Sequence, residues 1–158
     1  MRNRIMRTVR DIMTTDVVSI TPQATIREAM ESLSTNHLGG VPVVVGERVV
    51  GVVSMTDIVG FIVEDAGLDD ENVLDQHTVS ELMTYHVFGV TPSTSITIAA
   101  GIMRKRGIHR VLVMENEKLV GIVSALDIAQ LVSTTGLPGK TGIRVDPCVD
   151  DRSPWITV

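Results

Sequence analysis

The chain states nearly the same fifty-residue passage twice. Val9 to Ile58 aligns with Val79 to Ile128 at a constant offset of 70 residues, without a gap. Met13-Thr14 returns as Met83-Thr84, Thr21-Pro22 as Thr91-Pro92, and Ile26 and Ala29 as Ile96 and Ala99. Val41 and Val43 return as Val111 and Val113, Gly51 as Gly121, and Ser54-x-x-Asp57-Ile58 as Ser124-x-x-Asp127-Ile128. A repeat constrains architecture before any local signal does. Two copies are too few for a solenoid, so the expected arrangement is a pseudo-symmetric pair packed face to face.

Each copy reads strand, helix, strand, strand, helix. In the first, Val17-Val18-Ser19-Ile20 is a short β-rich run ended by Thr21-Pro22. Thr25-x-x-Glu28 has capping-box form and opens a helix. Ile26, Ala29, Met30 and Leu33 then follow at i, i+3, i+4 and i+7, one helical face. Asn36-His37-Leu38-Gly39-Gly40 ends it. Val41 to Val45 and Val49 to Val53 are β-branched runs joined by a polar turn at Gly46-Glu47-Arg48. The near-continuous valine suggests strands buried on both faces. Ser54 caps a second helix carrying Ile58, Val59 and Ile62. In the second copy Ile96, Ala99, Ala100 and Met103 give the stripe, Val111 to Met114 and Leu119 to Val123 the hairpin, and Ser124 the last helix with Ile128, Ala129, Leu131 and Val132.

A hydrophobic fraction of 44% with only 3% aromatics fits a core of β-branched strands and small helix faces in a chain of 158 residues. A net charge of −5 argues against a general nucleic-acid binder. The sole cysteine, Cys148, excludes an intramolecular disulfide and fits a reducing compartment. The basic start Met1-Arg2-Asn3-Arg4-Ile5-Met6-Arg7 lacks the apolar run of a signal peptide, and no stretch reaches the roughly 18 apolar residues of a membrane span. The expectation is a soluble cytoplasmic protein. It is divided into a basic arm at 1–8, a first motif at 9–63, an acidic helix end and linker at 64–78, a second motif at 79–133 and an irregular tail at 134–158. Trp155 in that tail is expected to pack on the body or on a neighbouring subunit.

The most pointed motif is Gly-hydrophobic-Val-Ser-x-x-Asp-Ile, present in both copies. Its structural reading is a helix cap: Ser followed three residues later by an acid that also favours the helix macrodipole. The same geometry suits a ribose, whose vicinal hydroxyls a carboxylate accepts, while helix amides and the Ser hydroxyl can meet a phosphate. A structural cap need not be Asp and need not recur, so the recurrence favours a binding role. Gly139-Lys140-Thr141 imitates the end of a phosphate loop, but Thr134 stands where the first glycine is required. His37, His77, His86 and His109 with Cys148 show no metal-ligand spacing, and His37 and His86 are expected at the surface or at a cleft edge. No nucleophile–base pair is identifiable, so the chain is not expected to be an enzyme.

The ordered set Met-Thr-x-x-Val-Val-x-Ile-Thr-Pro, amphipathic helix, Val-Pro-Val-Val strand and Gly-Val-Val-Ser-x-x-Asp-Ile resembles a CBS domain, named after cystathionine β-synthase. Two in tandem resemble a CBS pair, or Bateman module. That resemblance implies an α/β (α+β) fold in which two pseudo-twofold-related β-α-β-β-α motifs pack sheet to sheet in a disc. It also implies two clefts for adenosine-containing ligands such as AMP, ADP, ATP or S-adenosylmethionine, bound as regulatory ligands with no cofactor required. Carried onto this sequence, one cleft takes Ser124, Asp127 and Ile122 with Thr14, Val17, Val18, Leu38 and Gly39. The other takes Ser54, Asp57 and Val52 with Thr84, Val87, Phe88 and Ile108.

The clefts are not expected to be equal. Arg104-Lys105-Arg106-Gly107-Ile108-His109-Arg110 precedes the second hairpin, and His109-Arg110 resembles a phosphate-binding pair, assigned here to the Asp127 cleft. The first copy has Gly39-Gly40 instead. Arg104 to Arg106 also read as a solvated helix end, favourable at a C-terminus. The expected function is a nucleotide-binding sensor, acting as a homodimer on an unidentified target protein. Three competing classes stay open: a ligand-free dimerisation module, a nucleic-acid binder using Arg2, Arg4, Arg7 and Arg10, and an enzyme without a recognisable catalytic set.

Overall fold

A computed structural model describes residues 7–66 and 72–135. Most of the basic arm, the middle of the acidic linker, Gly139-Lys140-Thr141, Cys148 and Trp155 lie outside the described residues. The first copy contains α1 (Ile26–Thr35), β1 (Gly40–Val45), β2 (Arg48–Ser54) and α2 (Met55–Phe61), which runs on into one wider helical turn, Ile62–Ala66. Two short helices follow, α3 (Val73–Gln76) and α4 (Val79–Leu82). The second copy contains β3 (Gly89–Val90), α5 (Ile96–Arg106), β4 (Arg110–Glu115), β5 (Lys118–Ser124) and α6 (Ala125–Thr135).

The capping box expected at α1 is present. Thr25 Oγ1 accepts from the Glu28 N–H at 3.1 Å and the Glu28 carboxylate accepts from the Thr25 N–H at 2.8 Å. Ile26, Ala29 and Leu33 are fully buried, with Met30 packed beside them. The hairpins repeat one another to the residue: Val43 faces Gly51 and Val113 faces Gly121. In both, the register then slips, leaving Val50 and Val120 as the extra residue of a bulge. The turn between β4 and β5 is Asn116-Glu117, both with positive φ (51° and 65°), the conformation whose twist matches that of the flanking strands.

The opening strands are not alike. In the second copy β3 pairs in parallel with β4, and the Leu112 N–H donates to the Phe88 carbonyl at 3.1 Å. The strand expected over Val17 to Ile20 is reduced to a single bridge between Ile20 and Val43. Pro42 stands where the second copy has Leu112, and proline has no N–H to give to Val18. The ladder therefore starts one residue late, at Ile20 instead of the Ser19 that corresponds to Gly89.

The first turn of each copy crosses to the other. Thr14 exchanges backbone hydrogen bonds with Ile122 at 2.9 and 3.0 Å, and Thr84 with Val52 at 2.8 and 3.0 Å. Upstream, Val9 donates to Thr94 and Ile96 to Arg7, while Val79 donates to Ala24 and Ile26 to His77. Interchanging the copies maps each bond onto its counterpart, which is a pseudo-twofold relation. Val9 is thus buried in a core with Val90, Ala99, Met103, Val111, Val113 and Val123 of the second copy. Val79 and Met83 are buried with Ile26, Leu33, Val41, Val43, Val53 and Ile58 of the first. Gly51 and Gly121 leave room for the crossing: a methyl group on Gly51 would sit 2.9 Å from the Thr84 carbonyl, and one on Gly121 3.0 Å from that of Thr14.

Val9→Ala removes two methyl groups from the second copy's core and is expected to cost about 1–3 kcal/mol. Hydrogen exchange should show the larger loss of protection in β4 and β5. Loss confined to β1 and β2 would contradict the exchanged packing.

Candidate functional site

Where the crossing segments leave each hairpin they wall two clefts, related by the same pseudo-twofold. One has a volume of about 510 Å³ and is lined by Val52, Ser54, Asp57, Thr84, Val87, Phe88 and Ile108. The other, about 460 Å³, is lined by Thr14, Val17, Val18, Leu38, Ile122, Ser124 and Asp127. Both lie in the range of small-ligand sites. The residues grouped from sequence are therefore grouped in space. Three further residues, Gly39, His109 and Arg110, line both clefts rather than the Asp127 cleft alone.

The Ser-x-x-Asp motif forms the same cap in each copy. Asp57 Oδ2 accepts from the Ser54 N–H at 2.8 Å and from its hydroxyl at 2.6 Å, while Ser54 Oγ accepts from the Asp57 N–H at 3.2 Å. Ser124 and Asp127 repeat this at 2.7, 2.7 and 3.2 Å. The capping and binding readings are compatible, because the cap engages only Oδ2. Oδ1 of each carboxylate takes no hydrogen bond among the described residues. The Ser hydroxyl, in contrast, spends its hydrogen on the carboxylate, so it orients the Asp and has no donor left for a phosphate.

Arg110 is half-buried at the seam. Its guanidinium lies over the Gly39-Gly40 backbone: a methyl group on Gly39 would be 2.8 Å from Nη2, and one on Gly40 would run into Nη1. Gly39-Gly40 and His109-Arg110 occupy equivalent repeat positions. One copy gives up its side chains so that the other copy's arginine can fill the shared space. Arg110 has no carboxylate or other hydrogen-bond partner among the described residues, and burial pushes its pKa below the ordinary arginine value. It remains a cation.

Among the lining residues, Asp16, Leu126 and Thr56 escaped the sequence reading, whereas His86 was expected at the surface or at a cleft edge. Asp16 and Leu126 line the Asp127 cleft, and their counterparts at the 70-residue offset, His86 and Thr56, line the Asp57 cleft. Comparing unlike residues at matched positions would have found them. His37 lines the Asp127 cleft with a left-handed φ of 53°, where Gly107 has 64° in the other copy. Arg104 and Lys105 are exposed in the last turn of α5, whereas the Arg106 guanidinium stacks 4.8 Å from the centre of the Phe88 ring.

Comparison with known proteins agrees with the fold. The family described as CBS domain matches residues 9–64 and 79–134. An uncharacterized protein of Methanocaldococcus jannaschii is 32% identical over 79% of this chain, which spans only 39% of that protein. The CBS domain-containing protein YhcV of Bacillus subtilis is 32% identical over 78% of this chain and 84% of its own length. The CBS domain pair of protein MJ0100, solved in complex with 5′-methylthioadenosine and S-adenosyl-L-methionine, superposes with a TM-score of 0.73 over 82% of this chain and 98% of that one; at 24% identity the likeness is one of fold.

Gly40→Ala would also press on the Val53 carbonyl at 2.9 Å, backbone that cannot yield, and is expected to cost about 1–3 kcal/mol in urea denaturation. Gly39→Ala meets only the end of the Arg110 side chain and should cost under about 1 kcal/mol. Equal losses would mean that the Val53 carbonyl does not crowd Gly40.

Proposed function

The chain belongs to the CBS domain family, and on that footing we propose that it is a non-catalytic regulatory module. Its clefts bind an adenosine-containing ligand such as AMP, ADP, ATP or S-adenosylmethionine, and a partner protein reads the ligand state. The observation that carries this is the doubled carboxylate. Asp57 and Asp127 each line a cleft of nucleoside size, each with Oδ2 fixed by a helix cap and Oδ1 without a partner among the described residues. A carboxylate held in this way is preorganised to accept from two vicinal ribose hydroxyls, and the walls of Val17, Val18, Leu38 or Val87, Phe88, Ile108 suit a flat base. The MJ0100 pair, solved with two adenosine derivatives, lends support from the same fold.

Signalling would work by linkage. A ligand that touches both copies favours one arrangement of the two, and a partner that prefers the same arrangement binds more tightly by the same factor. The units 9–63 and 79–133 would be the bodies that shift, joined by the linker 64–78, in a cytoplasmic homodimer. Val59 and Val63, exposed at 52% and 67%, support the dimer. They equally support the second reading, a dimerisation module without ligand. Among the described residues no helix is long and apolar enough to cross a membrane.

A melting series with AMP, ADP, ATP and S-adenosylmethionine separates the two. At a hundred times its dissociation constant a ligand adds about 2.7 kcal/mol, which a melting curve resolves. Asp57→Ala and Asp127→Ala should each lower the ligand-free stability by about 1 kcal/mol through the lost cap, and each should also shrink the ligand-induced rise. No rise in the unmodified protein with any of the four would sink the sensor reading.

A further inference from the structure

The two clefts share one cation. Arg110 lines both, and its counterpart in the first copy is Gly40, so no second arginine stands across the pseudo-twofold. Backbone crowds out a second one: a side chain at Gly40 would stand 2.9 Å from the Val53 carbonyl and 3.2 Å from the Ser54 Cα, beside the Arg110 guanidinium. Nothing among the described residues neutralises it, and it is free to pair with an anion from either side. A guanidinium satisfies a phosphate best through one planar fork of parallel N–H donors, and two phosphates brought to the same half-buried cation would repel each other in a medium that screens poorly.

The flanking residues break the tie. At equivalent positions the Asp57 cleft has His86 and Thr56, and the Asp127 cleft has Asp16 and Leu126. One mouth offers an imidazole and a hydroxyl, both donors to a phosphate. The other offers a carboxylate, which repels it, and an isobutyl group, which cannot bond to it. Thr56 and Leu126 each occupy the second residue of the helix that their Ser caps.

We propose that the clefts sort ligands by charge and are coupled negatively through Arg110: a phosphate-bearing nucleotide takes the Asp57 cleft first and, by engaging the guanidinium, leaves the Asp127 cleft to an uncharged adenosine derivative. This rests on the reading of both clefts as adenosine sites and adds which ligand goes where. The regulated quantity is then the ratio of phosphorylated to unphosphorylated nucleoside, sensed by a single side chain.

Isothermal titration of the full chain with AMP and, separately, adenosine tests it. AMP should bind in two steps, the second at least tenfold weaker than the first, whereas the two adenosine steps should differ by less than threefold. Protein already saturated with one equivalent of AMP should still take up adenosine. In Arg110→Gln the gap between the two AMP steps should narrow without closing, because His86 and Thr56 still favour the Asp57 cleft. The double variant His86→Asp, Thr56→Leu, confined to exposed positions, should weaken the first AMP step about tenfold. Two equal, independent AMP steps in the unmodified protein would overturn the proposal and leave the adenosine sites standing. Binding of neither ligand would overturn both. Two equal steps in the unmodified protein are enough to refute the proposal, so it stays open to refutation if Arg110→Gln does not fold.

Discussion

The structure depends on the exchange of opening segments between the copies. Thr14 closes onto Ile122 and Thr84 onto Val52, each through two backbone hydrogen bonds. Those four bonds bring Val9 into one core and Val79 into the other. Each copy buries its hairpin partly against a segment from its twin. The exchange also creates the clefts. The residues that follow each crossing, Val17-Val18 and Val87-Phe88, are delivered opposite a hairpin and a helix cap that belong to the other copy.

Pseudo-symmetry explains both the likeness of the clefts and their difference. Close to the twofold, equivalent residues from both copies compete for the same volume, and only one large side chain fits. The solution here is Arg110 against Gly39 and Gly40. An unpaired half-buried cation is costly in the ligand-free protein, because desolvation is not offset by a hydrogen-bonded partner. The surface ion pairs, such as Lys118–Glu47 at 2.8 Å between the hairpin tips, are exposed and add little.

Much was legible in the residues because the signals were local. The capping boxes, the Ile26-Ala29-Leu33 face and the paired hairpins follow from backbone and side-chain periodicity and needed no tertiary context. The grouping of Asp57 with Thr84 and of Asp127 with Thr14 came with the family resemblance, since spacing alone does not say which copy faces which. The shortened first strand was missed even though its cause, Pro42, stood in the sequence. A proline within a valine run forbids one ladder bond, but which bond matters depends on the strand that lies alongside.

The sequence by itself determined the repeat, and within each copy the hairpin, its two flanking helices and their caps, because each of these elements is set by residues within a few positions of one another. Only the tertiary structure decided that Val9 belongs to the second core, that Gly39-Gly40 is the space for Arg110, and that this arginine serves two clefts. Those facts concern residues about 70 or more positions apart, brought together by a twofold relation. Their meaning lies in volume and charge at the seam, which no single copy possesses.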